Sequence, residues 1–256
     1  DLDGTDLLAL DEGAMCEIRG NRIGMIFQEP MTSLNPVHRI GRQIAEPLRL
    51  HRGLTGANAR DEVLALLDRV GLPDPARRID AYPHQMSGGQ RQRVMIAMAL
   101  SCGPDILLAD EPTTALDVTI QGQILDLIDE LVDDTGMGLI LISHDLGVIS
   151  ESVDNVAVMY GGAMVEKGPT ASLFDRLCHP YSQGLFAAVP RVGEDHTGPL
   201  HTIPGTVPEL SDLPMGCSFA DRCAKATDVC WQQAPGMEAV SPDHYTACHH
   251  HDGEQG

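Results

Sequence analysis

Two adjacent carboxylates follow a short apolar segment near the middle of the chain. Ile106–Ala109 lies between a Gly-Pro pair and a later proline, and it is followed directly by Asp110 and Glu111. Such a segment predicts a core strand of a parallel sheet, and open α/β sheets bind ligands at the carboxyl ends of their strands. Asp110 is therefore predicted to hold Mg²⁺, and Glu111 to orient or deprotonate an attacking water. The alternative for the pair alone is a strand that has reached solvent.

Gln28 and His144 also follow predicted strands. Gln28 begins a polar loop after the strand predicted at 22–27, and His144 follows the strand predicted at 138–143. A glutamine side chain has a donor and an acceptor and can reach metal or water, whereas a neutral histidine ring can donate to a phosphate. Each residue alone is more often structural. Their occurrence in order with the two carboxylates is what favours a phosphate-transfer site.

A serine and two glycines stand at the predicted start of a helix that reaches about residue 102. Ser87 is placed as its N-cap, and Gly88, Gly89 and Gln90 follow. Glycines let a phosphate approach the backbone closely, and the free N–H groups of a helix start favour an anion. The alternative is an ordinary cap and turn.

Predicted strands alternate with predicted helices as far as about residue 160. The strands are 22–27, 105–110, 138–143 and 155–160, and the helical patterns are 40–72, 87–102, 119–133 and 145–152. This alternation predicts an α/β fold whose mainly parallel sheet is covered on both faces. After about residue 190 the sequence becomes rich in Pro, Gly, His and Cys, which predicts a separate small module.

Charge and composition exclude some classes of function. The net charge is −20, with two lysines and fifteen arginines, and 43% of the residues are apolar. Nucleic-acid binding needs clustered basic residues, so it is not predicted as a main activity. No apolar segment approaches the length of a membrane span, so membrane association must come through a partner.

Four cysteines crowd into the last forty residues. Cys217, Cys223, Cys230 and Cys248 are separated by five, six and seventeen residues. Without a secretory signal, a metal or cluster site is favoured over disulfides. The intervals depart from those of a zinc ribbon, and four thiolates also suit a [4Fe–4S] cluster. Zinc, a cluster, and free or disulfide-linked cysteines all stay open.

Several segments together resemble the ATPase subunits of ABC transporters. The segment "MSGGQRQR" resembles the signature motif, and "ILLADEPTTALD" resembles the Walker B motif with its D-loop. The segment "LISHD" resembles the switch-histidine loop, and "MIFQEPMTSLNP" resembles the Q-loop. The segment "HPYSQGLFAAVPR" resembles the C-terminal extension of peptide and nickel importer ATPases. The resemblance implies the ABC-type P-loop NTPase fold, an α/β fold in which a RecA-like, mainly parallel sheet carries a helical subdomain.

This resemblance also implies roles for individual residues. Asp110 would be the carboxylate on the Mg²⁺ side, Glu111 the catalytic base, His144 the γ-phosphate sensor, and Gln28 the link from Mg²⁺ or water to the transmembrane subunit. The signature segment would clasp the nucleotide held by the opposite subunit, and a D-loop aspartate would communicate across the dimer. These residues are Ser87, Gly88, Gly89 and Gln90 in the signature and Asp117 in the D-loop.

The implied domains cover the whole chain. They are residues 1–39 (rest of the N-terminal β region with the Q-loop), 40–102 (helical subdomain with the signature), 103–178 (catalytic core) and 179–256 (peptide-importer extension with the four-cysteine module). For the cysteine-bearing end, an iron–sulfur cluster is the better-fitting precedent in this family.

The family's phosphate-binding P-loop is missing from the sequence. No G-x-x-x-x-G-K-[ST] pattern occurs, and the first lysine is Lys167, far beyond the predicted catalytic strands. In the family the P-loop and the aromatic residue that stacks on adenine lie upstream of a point resembling Asp1. We therefore expect an N-terminally truncated chain that neither binds ATP tightly nor hydrolyses it alone.

The resemblance implies an energy-coupling ATPase subunit of an ABC importer for di- and oligopeptides. Its partners would be an identical or different second ATPase subunit, two transmembrane permease subunits and an extracellular substrate-binding protein, at the cytoplasmic face of the membrane. One alternative is a non-catalytic partner that contributes only its signature face. Another is a soluble ABC ATPase of DNA repair or translation, against which the acidic charge and segment 179–191 weigh. The cargo would be chosen mainly by other subunits.

Overall fold

The carboxyl ends of three parallel strands form one edge of the first unit of the molecule. The computed structural model describes residues 1–114, 116–189 and 202–251, whose contacts divide the chain into units 1–144 and 145–256. The finer division into four segments stays a prediction. The helices of the first unit are α1 (Glu12–Ile18), α2 (Pro30–Ser33), α3 (Ile40–Arg52), α4 (Gly56–Arg69), α5 (Pro75–Arg78), α6 (Gly88–Leu100) and α7 (Val118–Thr135), and its strands are β1 (Ile23–Ile26), β2 (Ile106–Asp110) and β3 (Gly138–Ile142).

The sheet of the first unit has the order β1-β2-β3, and both pairings are parallel. Met25 pairs with Leu108, which pairs with Ile140, so the three strands end at nearly the same height. The predicted parallel sheet is confirmed, and this register positions the residues that follow each strand at one edge.

The two faces of this sheet differ in how well they are covered. Leu107 and Ala109 point into the core and are fully buried. On β3, Ile140 and Ile142 are 53% and 49% exposed. The expected cover on both faces is therefore wrong for β3 within the described residues.

The helical region also differs in detail from its prediction. The pattern predicted across 40–72 is divided between α3 and α4, because Gly53 adopts the left-handed conformation (φ +65°) that ends a helix. The N-cap predicted at Ser87 is confirmed: its side chain accepts from the N–H of Gln90.

The second unit contains an antiparallel sheet. Its elements are α8 (Leu146–Ser152), β4 (Asn155–Tyr160), β5 (Ala163–Pro169), α9 (Thr170–Asp175), α10 (Pro180–Ala187), α11 (Asp228–Gln232), β6 (Glu238–Ser241) and β7 (His244–Thr246), with the strand order β4-β5-β7-β6. Assigning residues 155–160 to the parallel sheet was wrong. Gly161 and Gly162, both at positive φ, turn the chain back so that β4 and β5 form a hairpin.

The cysteine-bearing tail is joined to that hairpin. In the β5–β7 pairing, Glu166 lies opposite Thr246 and Lys167 opposite Tyr245. Phe219 of the tail packs edge-on against Tyr160, with ring centroids 5.1 Å apart. The prediction of a separate module after residue 190 was therefore wrong, because strand pairing and aromatic packing attach the tail to β4 and β5. Residues 190–201 and 252–256 lie outside the described residues.

Candidate functional site

Gln28, Glu111 and His144 meet at the common edge of the parallel strands. Glu111 follows β2, while Gln28 and His144 come shortly after β1 and β3. Oε2 of Glu111 accepts from Nε2 of Gln28 at 2.9 Å, and Oε1 lies 3.2 Å from Nδ1 of His144. The structure thus brings together three residues that are 83 and 33 positions apart in the chain.

Glu111 is the centre of a network whose donors are all side chains. The hydroxyl of Thr114 also donates to Oε2, at 2.7 Å. This hydroxyl and then His144 hold the pKa of Glu111 below its usual range, so the carboxylate is ionised at neutral pH. The His144 side chain is 78% exposed and that of Glu111 is 23% exposed. An ionised carboxylate is therefore presented to solvent, where it can accept a proton.

The backbone of Glu111 is in an uncommon conformation. Its φ is +43°, in the left-handed region that residues other than glycine rarely adopt. Its N–H donates to the carbonyl of Ile142 at 2.9 Å, and the N–H of Thr114 closes a turn on the carbonyl of Glu111 at 3.1 Å. Strain of this kind clusters at functional sites, where surrounding contacts sustain it.

Asp110 ends β2 beside this network. Its carboxylate forms no hydrogen bond or ion pair with any residue in the described part of the chain. Free carboxylate oxygens at a strand end are suitable ligands for a hard cation such as Mg²⁺. The predicted metal ligand is therefore next to the predicted base.

The predicted phosphate-clasping segment forms the exposed start of α6. Ser87 and Gln90 form a capping box, in which the N–H of each is hydrogen-bonded by the side chain of the other, at 3.3 and 3.2 Å. Ser87 and Gly88 are exposed, and Gly89 is half-buried. A Cβ on Gly89 would lie only 2.9 Å from Cγ2 of Ile120. This segment is not brought into contact with Glu111.

Asp117 is the N-cap of α7. Its Oδ1 accepts from the N–H of Ile120 at 3.0 Å. Val118, the next residue, is 83% exposed. The start of α7 is therefore open to solvent at Val118, while Ile120 packs against Gly89 of α6.

Sequence reasoning missed Thr114, Gln92 and Gln121, which all support Glu111. Thr114 contacts the carboxylate directly, and the two glutamines bind the carbonyls of the following turn. No pattern in the sequence distinguishes Thr114 from its neighbour Thr113. Only the prediction of a tight turn after β2 would have indicated that one of these two threonines contacts Glu111.

The four tail cysteines occupy one region of the second unit. The N–H of Cys217 donates to the carbonyl of Cys230 at 2.7 Å. Burial raises the pKa of Cys217, Cys223 and Cys248, and the negative charges of neighbouring thiolates raise it further. The N–H of His250 donates to the sulfur of Cys248 at 3.4 Å, and the backbone N–H groups of Phe219 and Lys225 act to lower the pKa of Cys217 and Cys223.

A second, buried group of ligand-type residues surrounds Glu166. Its carboxylate accepts from the N–H of Cys178 at 2.7 Å, the N–H of His179 at 3.0 Å and Nε2 of His244 at 2.9 Å. Burial lowers the pKa of His179 to about 4, so this ring is neutral. Because three N–H groups already occupy the carboxylate, the arrangement fastens β5, β7 and the start of α10 together.

The first unit is similar to known ATP-binding cassettes. Residues 1–114 match the family described as ABC transporter. The chain resembles the ATP-binding cassette MJ0796, solved as a dimer in a post-hydrolysis state bound to ADP and Pi, with a TM-score of 0.59 and 30% identity over 66% of this chain and 72% of that one. It also resembles cbiO1 of Clostridium perfringens, part of the ABC transporter complex cbiONQ (TM-score 0.54, 28% identity, 64% of this chain and 62% of that one). The fold and motifs define an ABC-type ATPase.

The relatives of this chain indicate which kind of ABC-type ATPase it is. Residues 165–230 match the family described as the oligopeptide/dipeptide transporter C-terminal region. BOV_A0348 of Brucella ovis, named as a peptide import ATP-binding protein, is 53% identical over 248 residues, which are 95% of this chain and 73% of the relative. The Sinorhizobium fredii protein y4tR, named as a peptide ABC transporter ATP-binding protein, is 51% identical over 245 residues (96% and 73%). The chain belongs to this family of ATP-binding proteins of peptide-import ABC transporters. Among its described helices, none is long and apolar enough to cross a membrane.

Proposed function

We propose that this chain supplies the hydrolytic residues that drive import of di- or oligopeptides by an ABC transporter. The Glu111 network at the common edge of the parallel strands carries the proposal. Glu111 accepts a proton from the water that attacks the γ-phosphate, and His144 donates to that phosphate. Gln28 orients the metal or the water and connects this edge to the loop that follows it.

Asp110 is the proposed Mg²⁺ ligand, with Gln28 as a second ligand from the neighbouring strand end. The free oxygens of Asp110 fit a hard cation. When bound, Mg²⁺ neutralises charge that develops on the phosphate oxygens. Asp110 and Gln28 would hold the ion directly or through water.

The exposed starts of α6 and α7 are proposed to meet a second ATPase subunit. Ser87, Gly88, Gly89 and Gln90 would clasp the nucleotide held by that subunit, because helix-start N–H groups favour phosphate. Asp117 would communicate across the same interface, and the exposed Val118 beside it supports burial there. The second subunit can be an identical or a different chain.

The 256-residue chain alone is proposed to be unable to bind nucleotide tightly. It contains no P-loop sequence, although it contains the acid, the histidine and the clasping glycines. Titrating this chain with ATP and Mg²⁺ in a calorimeter should give no saturable binding in the micromolar range. Micromolar binding would contradict this part of the proposal.

Gln28, the loop that follows it and the flanking Phe27 and Val37 are proposed to receive the transmembrane permease subunits. Phe27, Met31 and Val37 are 46%, 66% and 74% exposed, which is unusual for three large apolar side chains in one segment. Two transmembrane permease subunits, with an extracellular substrate-binding protein on the far side, would place this chain at the cytoplasmic face of the membrane.

A groove between α3 and α4 is proposed as a second docking surface. Its volume is about 490 Å³, and its floor includes Ala45, Leu54 and Val63. Arg42 and Arg49 on its rim form no ion pair with a described residue. In a chain of net charge −20, such a rim favours a partner helix with an acidic side chain.

We also propose that Cys217, Cys223, Cys230 and Cys248 hold a [4Fe–4S] cluster. Four thiolates on one zinc ion lie about 3.8 Å apart, given a Zn–S bond of about 2.3 Å. No three of these cysteines, all within the described residues, have sulfur atoms that lie within 4.8 Å of one another. The intervals along the sequence depart from those of a zinc ribbon, and the N–H that donates to the sulfur of Cys248 supports thiolate ligation.

Anaerobic purification tests the cluster. We expect a brown protein with broad visible absorbance, iron and acid-labile sulfide. The Cys223→Ser variant should lose the colour, the iron and the sulfide. The Cys102→Ser variant, which changes a buried cysteine of the first unit, should retain all three. A colourless protein that contains zinc would contradict the cluster.

The hydrolytic role is tested in the assembled transporter. Glu111→Gln should lower the rate of ATP hydrolysis by about 10²–10⁴, since it removes the base, while the exposed control Glu130→Gln should retain the wild-type rate. An unchanged rate in Glu111→Gln would mean that the chain is a non-catalytic partner that contributes only its signature face.

A further inference from the structure

Two glutamine side chains hold the turn that directly follows Glu111. Nε2 of Gln92 donates to the carbonyl of Pro112 at 2.6 Å, and Nε2 of Gln121 donates to the carbonyl of Thr113 at 3.2 Å. Gln92 is only 1% exposed, and Gln121 is half-buried. Two successive carbonyls of this turn are therefore fixed by two different helices.

These helices both begin at exposed surfaces. Gln92 lies on α6, one turn after Gly88, and Gln121 lies on α7, one turn after Asp117. The two helix starts also pack closely on each other, since there is no space for a Cβ on Gly89 beside α7. A displacement of either start therefore reaches the turn through an amide group.

The turn itself determines where the carboxylate of Glu111 lies. It begins at the strained backbone of Glu111 and ends at Thr114, whose N–H and hydroxyl both bind Glu111. If the carbonyls of Pro112 and Thr113 shift, the Thr114 hydroxyl shifts with them. The carboxylate of Glu111 then loses the hydroxyl that holds it at 2.7 Å.

We infer that Gln92 and Gln121 are positioning residues that couple engagement of the α6 and α7 starts by a second ATPase subunit to the placement of Glu111. This inference rests on the proposed function and assigns a role to two residues that act on Glu111 only through the carbonyls of the turn. A subunit that presses on Gly88 or Asp117 would act on the Glu111 turn through these two hydrogen bonds.

The test replaces each amide by an apolar side chain of similar size in the assembled transporter. Gln92→Met and Gln121→Met should each lower kcat by roughly tenfold to a hundredfold, because a small misplacement of the base is costly, while KM for ATP stays within about twofold. Thr114→Val, which removes the hydroxyl from Glu111 directly, should add little further loss of kcat to either methionine variant, because both changes act on the same contact. A merely structural role would give losses that add.

Gln183→Met is the matched control. Nε2 of Gln183 donates to a loop carbonyl, that of Leu177, at 2.8 Å in the second unit. This variant loses the same kind of hydrogen bond and should retain the wild-type kcat and KM. If the Gln92→Met variant does not fold, the half-buried Gln121→Met variant still tests the positioning role.

Glu111→Gln is measured in parallel to separate the two hypotheses. If Glu111→Gln retains wild-type activity, the proposed function fails. If Glu111→Gln is inactive while the two methionine variants keep the wild-type kcat, the positioning role alone is overturned.

Discussion

The molecule contains two Glu–His pairs with nearly the same contact and opposite surroundings. Glu111 and His144 lie 3.2 Å apart with side chains that are 23% and 78% exposed. Glu166 and His244 lie 2.9 Å apart and are 0% and 1% exposed. Residue type and distance alone therefore do not distinguish a reactive pair from a structural one.

The origin of the other hydrogen bonds does distinguish them. Glu111 accepts only from side chains, and these can turn away when water or metal arrives. Glu166 accepts from the backbone N–H groups of Cys178 and His179, which can be released only if the chain itself moves. A carboxylate with side-chain donors can do chemistry, whereas one with backbone donors stabilises the fold.

The largest effect on stability is expected when the buried pair is broken. In Glu166→Gln, the amide NH₂ group would face N–H donors, which leaves buried groups unpaired. We expect the free energy of unfolding to fall by about 3–5 kcal/mol, measured by urea denaturation. A loss no greater than that of an exposed Glu→Gln variant would contradict the structural role of Glu166.

A somewhat smaller effect is expected from His179 in acid. Its pKa is about 4 in the folded protein against an ordinary value of 6.5, so between these pH values the unfolded chain binds more protons. Stability should therefore fall as the pH decreases from 6.5 to 4, by up to about 3 kcal/mol.

His179→Asn isolates this contribution. Nδ1 of His179 accepts from the N–H of Tyr181 at 3.0 Å as the N-cap of α10, and asparagine can also cap a helix but does not titrate. Urea midpoints measured across this pH range should depend less on pH in the variant. Equal pH dependence in both proteins would refute the assignment.

At the exposed pair, removal of the Thr114 hydroxyl should change the pH dependence of hydrolysis. Thr114→Val removes the largest cause of the low pKa of Glu111, so this pKa rises toward its ordinary value. Since the base must be ionised, activity should be lost at a higher pH on acidification. Thr135→Val, which removes a hydroxyl bonded to the carbonyl of Leu131, is the control that should keep the wild-type profile.

The smallest expected effect is that of Glu111→Gln on stability. The side chain is partly exposed and its partners can all reach water, so the free energy of unfolding should change by no more than about 0.5 kcal/mol. Urea denaturation beside Glu166→Gln gives the direct contrast. A loss comparable to that of Glu166→Gln would erase the distinction between the two pairs.

The sequence predicts the exposed site better than the buried one. Glu111 and His144 each follow an apolar strand, and parallel strands bring such residues to one edge, so they could be predicted to act together. Glu166 and His244 are 78 residues apart and belong to no motif. They meet only because β5 and β7 pair, and that ladder is too short to leave a recognisable alternation in the sequence.

The supports of the acid were also beyond prediction. Gln92 and Gln121 bind backbone carbonyls, which every residue has, so no partner residue type identifies them. By contrast, the N-cap at Ser87 could be predicted because capping depends on adjacent residues.

The close approach of Gly89 to Ile120 affects how a damaged signature segment should be interpreted. A methyl group at position 89 would lie 2.9 Å from Cγ2 of Ile120, so the packing of α6 on α7 must adjust before any nucleotide or second subunit arrives. If Gly89→Ala were inactive, the cause would then be altered packing within the isolated chain. Weaker binding of the phosphate would be a consequence of that change.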